Sequence, residues 1–342
     1  MSSAAASHVD LSTSFGPAVL AFDEIAEADR IAAWLRETLA RRLHRRGLVV
    51  AISGGIDSSV CAALAVRALG PGKVFGLLMP ERDSSGFSTE RGRLLALHLG
   101  IAHEVFDIAA ALEALGCYAQ RDTAIRRVVP AYGEGWKNKI VIAGGLAGGI
   151  NYFKLVVSDA AGALHEQRLP LRDYLQIVAA TNFKQRVRKT MDYFHADRLN
   201  YAVVGTPNRL EYDQGFFVKV GDGAADVKPI AHLYKTQVYA MARALGLPEV
   251  ICSATPTTDT YTLPQGQDEF YFALPYAQMD LALWALEHGV TTSALAAVLG
   301  MDEAGAQRVY TDIEAKRRAA RYLHAAAETL LDRPLETGRG GA

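Results

Sequence analysis

The sequence predicts an α/β fold: a doubly wound parallel sheet flanked by helices, with a small β-rich insert and a helical C-terminal region. Two observations carry the main sheet. Apolar, β-prone runs alternate with amphipathic helical stretches over the first hundred residues and recur near residue 201, the rhythm of strand–helix units that pair in parallel. One junction in that rhythm, Ile52-Ser53-Gly54-Gly55-Ile56-Asp57-Ser58-Ser59, is a tight glycine turn between a strand and a helix. A third observation separates the insert. Between 117 and 180 the text changes to short β-prone pieces divided by glycines and by Asp159-Ala160-Ala161-Gly162, which reads as an antiparallel meander.

Taken in order, an amphipathic helix over Glu24 to Arg45 leads into the run Gly47-Leu48-Val49-Val50-Ala51, a buried parallel strand. Ser58 to Leu69 is the following helix. Lys73 to Met79 is a second strand ended by Pro80, Thr89 to Leu99 a helix, and His103 to Ile108 a third strand. Within the insert, Lys139–Ala143, Asn151–Ser158 and Leu164–Leu169 are the β-prone pieces. The intervening Gly144-Gly145-Leu146-Ala147-Gly148-Gly149 lacks the following helix and downstream acid of a dinucleotide fingerprint, and reads as a turn or flexible lid. Asn182-Phe183-Lys184-Gln185-Arg186 opens a helix, and Tyr201 to Thr206 is a further strand. Ligands of such sheets bind beyond the carboxyl ends of the strands. The first turn, the Met79–Ser85 loop and the Thr206 turn are therefore expected to converge on one cleft.

Composition narrows the function. Half of the 342 residues are hydrophobic and the formal charge is −1, enough for a large core and no global basic field for nucleic acid. No apolar run has membrane-spanning length, and Met1 to His8 lacks a charged region followed by an apolar one. Cys61, Cys117 and Cys252 form no Cys-x-x-Cys pair, so reduced, packed thiols in a cytoplasm are expected rather than a disulfide framework or zinc site.

The Ile52–Ser59 turn is an anion site by construction. Its glycines admit an oxyanion close to the backbone, and the helix N-terminus stabilises the charge. No Lys-Ser or Lys-Thr follows the glycines, so it is not a Walker A loop. Asp57 puts a carboxylate among phosphate-binding groups, where it helps only if a cation bridges them. The order Ser-Gly-Gly-x-Asp-Ser resembles the pyrophosphate loop of the ATP pyrophosphatases, which cut ATP between the α- and β-phosphates.

Further segments follow in order: Val204-Gly205-Thr206-Pro207-Asn208-Arg209-Leu210-Glu211, Gly215 to Asp226, Leu233-Tyr234-Lys235-Thr236-Gln237-Val238, Pro256-Thr257-Thr258-Asp259 and Gly266-Gln267-Asp268-Glu269. Together these motifs resemble those of the NAD synthetases, the amide-forming branch of the ATP pyrophosphatase group. The resemblance covers most of Ile52 to Leu99 and of Asn182 to Met279. It implies an adenine nucleotide alpha hydrolase-like fold divided as 1–116 (N-terminal helix and first half of the ATP domain), 117–180 (insert), 181–270 (second half), 271–332 (helical region) and 333–342 (disordered tail).

It also implies a chemistry: ATP adenylates a carboxylate, that of deamido-NAD in this family, and ammonia displaces AMP. Attack of one anion on another needs shielding cations, and Mg²⁺ held by Asp57 and Glu211 would supply it. By the same resemblance Ile52 to Ser59, Thr206, Lys235 and Thr257 bind ATP, with Asp57 and Lys235 catalytic. Arg186, Lys219, Asp226 and Lys316 fall on substrate-binding positions. Arg186 shares a basic helix stretch with Lys184, Arg188 and Lys189, for which a solvated stripe is the bland alternative. A surface lysine at a helix start is the alternative for Lys235, and a helix cap for Thr257.

Three positions depart from the family pattern. Pro207 replaces a glycine, Ala224 the second glycine of a pair, and Ala315 the histidine that precedes a lysine matched by Lys316. No cysteine lies in a glutaminase signature, which leaves free ammonia or ammonia from a separate protein. A homodimer is implied by the resemblance. The competing readings are a related ligase for another carboxylate and a non-catalytic nucleotide-binding regulator.

Overall fold

The computed structural model describes residues 15–143, 152–254, 261–263, 271 and 274–330. Gly144–Gly149, Thr257 with its Pro256–Asp259 motif, Gly266–Glu269 and the 333–342 tail lie outside the described residues.

The central sheet has four strands, β1 (Leu48–Ala51), β2 (Val74–Leu78), β3 (Ala102–Val105) and β7 (Ala202–Val204), in the order β3-β2-β1-β7. Every pairing is parallel, with Leu48 opposite both Val74 and Ala202. Such strands are buried on both faces, which is why β1 reads as an unbroken apolar run. Successive side chains point to opposite faces. Leu48 and Val50 pack with α1 (Glu24–Glu37), α2 (Ile56–Leu69) and, later in the chain, α8 (Lys235–Ala244). Val49 packs on the other face with α4 (Ala109–Ala114), α5 (Cys117–Val128) and α6 (Leu171–Leu199). Helices on both faces make the sheet doubly wound, as the sequence predicted. The connection from β2 to β3 is α3 (Gly86–Leu99), whose Leu95 and Ala96 join the core that contains Leu48 and Val50.

A second, antiparallel sheet is formed by β4 (Lys137–Ala143), β5 (Tyr152–Ser158) and β6 (Leu164–Arg168) in sequence order. Ile140, Leu155 and Val157 pack against Ile125 of α5, Ile177 of α6 and Tyr261. Asn138 adds a backbone bond from Leu263 N–H to its carbonyl at 3.0 Å, and its own N–H donates to Thr262 Oγ1 at 2.6 Å. The small sheet is thereby fastened to the segment that follows the Thr257 motif.

Two helix boundaries correct the sequence expectations. The first helix ends at Glu37 and passes into a π-helical turn, Thr38–Leu43, rather than running unbroken to Arg45. Asn182 does not open a helix but lies inside α6, a single rod of 29 residues. Its start signal is Pro170 at the N-cap with Asp173 in the first turn, a pattern that favours helix initiation.

Beyond β7 come α7 (Arg209–Gln214), α8 and the short α9 (Glu249–Cys252). The C-terminal region is helical, as expected: α10 (Tyr276–Glu287), α11 (Thr292–Leu299) and α12 (Glu303–His324) bury Met279, Leu283, Leu295, Val309 and Ile313 with Leu210 and Tyr234. Among the described residues no helix is long and apolar enough to cross a membrane.

Candidate active site

In the order β3-β2-β1-β7 the connections leave β1 in opposite directions, so a crevice opens between the carboxyl ends of β1 and β7. The residues that follow those two strands meet there. After β1 the chain turns through Ser53-Gly54-Gly55 into α2. Gly54 has φ of 78°, and a Cβ on it would lie 2.2 Å from the Ser88 carbonyl oxygen. The position therefore excludes any side chain, and the start of α3 walls the turn. Ser58 Oγ and Ser59 Oγ both donate to the Gly55 carbonyl, at 3.0 and 2.8 Å. The N-cap of α2 is Gly55, which has no capping side chain, so the helix end is left open to an anion. Ile52 and Ile56 are buried under the turn, whereas Ser53 is exposed.

Asp57 stands in the first turn of α2, and two groups from distant sequence hold it. Its Oδ1 accepts a bond from Asn208 Nδ2 at 3.0 Å, and its Oδ2 forms an ion pair with Lys235 Nζ. Asn208 is the N-cap of α7 and closes a capping box with Glu211. Glu211 N–H donates to Asn208 Oδ1 at 3.2 Å and Asn208 N–H to Glu211 Oε2 at 3.1 Å. One asparagine thus joins the two carboxylates that the sequence marks as metal ligands. Sequence reasoning missed it, although Asn-x-x-Glu before an apolar position is a readable capping signal.

Lys235 is no surface lysine: its side chain is 1% exposed at the start of α8. Asp280 of α10, also missed, caps that helix by accepting from the backbone N–H groups of Lys235 and Thr236 at 3.2 and 2.7 Å. Burial pushes the Lys235 ammonium down, but Asp57 and then Glu211 outweigh it, leaving a raised pKa. Burial, followed by repulsion from Asp57, pushes the Glu211 carboxyl up to about 8 against the opposing pull of Lys235.

That shift has a stability consequence. A carboxyl raised on folding binds its proton more tightly in the native state, so stability is greatest below its unfolded pKa and is lost as pH rises through about 8. The nucleotide-free protein should lose up to about 1 kcal/mol per pH unit between pH 6 and 8 from this group. Glu211→Gln should flatten the slope in urea titrations run across that range. An equal slope in both proteins would contradict the assignment.

Among the described residues no group of three or more His, Cys, Asp or Glu side chains could hold a metal ion by itself. The donor set at the crevice is Asp57 and Glu211. Two carboxylates beside a phosphate turn suit Mg²⁺, which takes its remaining ligands from phosphates and water rather than from a protein cage. The residues fit the ion.

The other expected site residues fall in different places. Thr206 is half-buried in the turn after β7. Arg186 and Lys219 are brought together, the guanidinium donating to the Lys219 carbonyl at 3.4 Å, while Lys219 Nζ donates to the Tyr322 carbonyl at 2.8 Å. Between Lys219 and Gly221, Val220 holds φ of 61°, a left-handed conformation that β-branched residues avoid and that marks functional loops. The exposed Asp226 accepts from Val203 N–H at 2.7 Å along β7 and from Tyr193. Lys316 lies among Asp312 and the Tyr271 carbonyl, and burial lowers its pKa despite Asp312. The basic stretch on α6 is not a solvated stripe. Lys184 and Lys189 are buried in ion pairs, and Arg188 donates to the Met79 carbonyl. A recess of about 550 Å³ between α7 and α12, lined in part by Arg209, Arg317 and Arg321, includes none of Asp57, Glu211 and Lys235.

The chain is 58% identical over 308 residues to the NH(3)-dependent NAD(+) synthetase of Mesorhizobium japonicum, covering 90% of this chain and 97% of that one. It is 36% identical over 259 residues to the protein of the same name from Thermotoga neapolitana, covering 76% and 83%. In fold it resembles the NH3-dependent NAD synthetase of Campylobacter jejuni, with a TM-score of 0.59, 22% identity and coverage of 91% of this chain and 100% of that one. The NMN synthetase of Francisella tularensis gives a TM-score of 0.62 at 21% identity, covering 90% and 99%. The family model described as NAD synthase matches residues 27–129 and 142–320. The phosphate turn, the joined carboxylates and these matches agree: the chain belongs to the NAD synthase family.

Proposed function

We propose that this chain makes NAD⁺ from deamido-NAD⁺, ATP and ammonia, releasing AMP and pyrophosphate. The observation that carries the reading is the convergence of Asp57, Asn208, Glu211 and Lys235 on the turn between β1 and α2, in a chain so similar to NH(3)-dependent NAD(+) synthetases. A carboxylate oxygen of the acyl substrate attacks the α-phosphorus, the bond from that phosphorus to the bridging oxygen breaks, and pyrophosphate leaves. Ammonia nitrogen then attacks the acyl carbon, the carbon–oxygen bond to AMP breaks, and the nitrogen loses a proton.

The Ser53–Ser59 turn holds the phosphates against the open end of α2. Lys235, released from Asp57 when phosphate arrives, places a fixed ammonium on the leaving pyrophosphate. Asp57 and Glu211 hold Mg²⁺, which when bound neutralises phosphate charge and polarises the attacked phosphorus. Arg186 and Lys219, side by side, bind the anionic part of the dinucleotide, and Asp226 and Lys316 complete the acyl side. Thr206 and Thr257 contact ATP.

Ammonia is the nitrogen donor because the chain offers no thiolate to open glutamine. All three cysteines are buried, and burial raises the pKa of each, that of Cys61 further through Asp57 and Glu211. Nucleophilic cysteines need the opposite environment. A separate ammonia-supplying protein, a homodimer and a cytoplasmic location belong to the same proposal. Light scattering should give a mass near twice the 36.9 kDa of one chain.

The deciding experiment is incubation with ATP, Mg²⁺ and ammonium against a panel of carboxylates. Deamido-NAD⁺ should give AMP and pyrophosphate in equal amounts with NAD⁺. The Pro207, Ala224 and Ala315 departures favour the second reading, a ligase of another carboxylate. A different panel member turning over best would establish it.

A further inference from the structure

The loop 215–223 carries Lys219 and is gripped from two sides. Toward α12, a Cβ on Gly215 would lie 2.7 Å from Ala320 Cβ. Toward α6, a Cβ on Gly221 would lie 2.9 Å from Gln185 Cβ. Arg186 of α6 donates to the Lys219 carbonyl at 3.4 Å, and the last turn of α12 takes the other end of the same residue. There Lys219 Nζ donates to the Tyr322 carbonyl at 2.8 Å and stands 4.3 Å from the centroid of the Tyr322 ring. On the same turn, His324 Nε2 donates to the Tyr212 carbonyl at 2.8 Å. Its ring lies edge-on to Tyr212 and Phe217, with centroids 4.6 and 5.0 Å away.

Both carbonyls belong to the last turn of a helix, where carbonyls are left without an intrahelical partner. That of Tyr322, at the negative end of α12, suits an ammonium, and the ring adds its negative face. An ammonium has three donors, so Lys219 keeps others for an anion. What the contact removes is the wandering of a flexible four-carbon stem, a loss that otherwise falls on ligand binding. Val220 shows that the grip is firm. It holds φ of 61° while it is 67% exposed, so its own packing does not maintain the left-handed shape. Such strain persists only where the surroundings over-determine it, and here those surroundings are α6 and the α12 turn. The match to the NAD synthase family model stops at residue 320, just short of that turn.

We propose, on the reading of Lys219 as a cation for the dinucleotide substrate, that Tyr322 and His324 are positioning residues. The last turn of α12 holds the Lys219 ammonium in place, and the substrate site is incomplete without it. Tyr322 acts on Lys219 through its ring and carbonyl, and His324 acts on the loop through Tyr212 and Phe217. Neither touches a reacting atom.

The test is steady-state kinetics of the full chain with ATP, Mg²⁺, ammonium and deamido-NAD⁺. Tyr322→Ala should raise the KM for deamido-NAD⁺ about two- to fivefold, the span expected when a cation loses an exposed ring. With His324→Ala added, the rise should reach about tenfold. The kcat and the KM for ATP should stay within about twofold. Tyr322→Phe, which keeps ring and carbonyl, should restore the parent constant. Lys219→Met distinguishes the substrate role from the positioning role. It should raise the same KM about tenfold or more and make Tyr322→Ala silent when the two are combined. An unchanged KM in Lys219→Met would remove the substrate role of Lys219, and the positioning role with it. A raised KM in Lys219→Met beside an unchanged one in the Tyr322→Ala, His324→Ala double variant would overturn the positioning role alone. So would an equal rise of the KM for ATP, which a general loosening of the fold produces.

Discussion

Asp57→Asn should abolish turnover, with the rate of AMP and pyrophosphate release falling by about a thousandfold or more. The change keeps the shape of the side chain and removes its charge, so it deletes one of the two carboxylates proposed to hold Mg²⁺, a term worth several kcal/mol in the transition state. The sequence alone suggests a polar turn whose neutralisation leaves the fold untouched. The structure adds a cost, because Asp57 is the ion-pair partner of the buried Lys235. Removing one member of a buried pair typically costs about 3–5 kcal/mol. Glu211 limits the damage here. Once Asp57 is neutral, Glu211 loses a repulsive neighbour and keeps Lys235 as an attractive one, so it ionises more readily and takes over part of the balance. The variant should therefore fold, with a circular-dichroism melting temperature lowered by several degrees. ADP and phosphate as products of the parent enzyme would refute the site of cleavage.

Ammonium should support full turnover and glutamine none, and the ammonium-driven rate should depend steeply on pH. The nucleophile is NH₃, whose share of total ammonium rises about tenfold per pH unit below the pKa of ammonium. On the proposed metal role, Glu211 should add a second rise as its raised pKa is passed and its carboxylate ionises. The two are separable. At each pH the ammonia term disappears when total ammonium is saturating, while the Glu211 term remains in the Mg²⁺ dependence. Glutamine-driven amidation by the pure chain would contradict the burial of all three cysteines.

The sheet was legible because its signals are local. Leu48 to Ala51 is apolar on both faces, Gly54 sits where only glycine fits, and the order of runs and turns fixes which loops share an edge. Asp57 was singled out by its place in the glycine turn, Glu211 and Lys235 by the resemblance to the NAD synthetases, and the structure gathers the three at one crevice. Asn208 and Asp280 were not, because their importance lies in what they touch. Asn208 binds Asp57 across 151 positions of sequence and Asp280 caps a helix 45 positions away, and neither pairing leaves a periodic trace. The basic stretch on α6 shows the opposite error. Lys184, Arg188 and Lys189 resemble a solvated face in composition, yet the loop after β2 and Asp192 turn all three to internal use. The α6 start at Leu171 was readable from Pro170 but hidden by the β-prone text just before it.

The pairings at the crevice also set a schedule for making the protein. Asp57 finds Asn208 and Lys235 only across 151 and 178 positions, and the helix carrying that lysine is capped from Asp280. A ribosome must therefore release most of the chain before any cation or amide reaches Asp57. A nascent chain that stops between Gln214 and Lys235 has the glycine turn, both carboxylates and the Asn208 capping box but not the ammonium that balances them. Contacts so far apart form late and slowly. Products of premature termination should consequently be inert, and the crevice that joins Asp57 to Lys235 is among the last parts of the molecule to form.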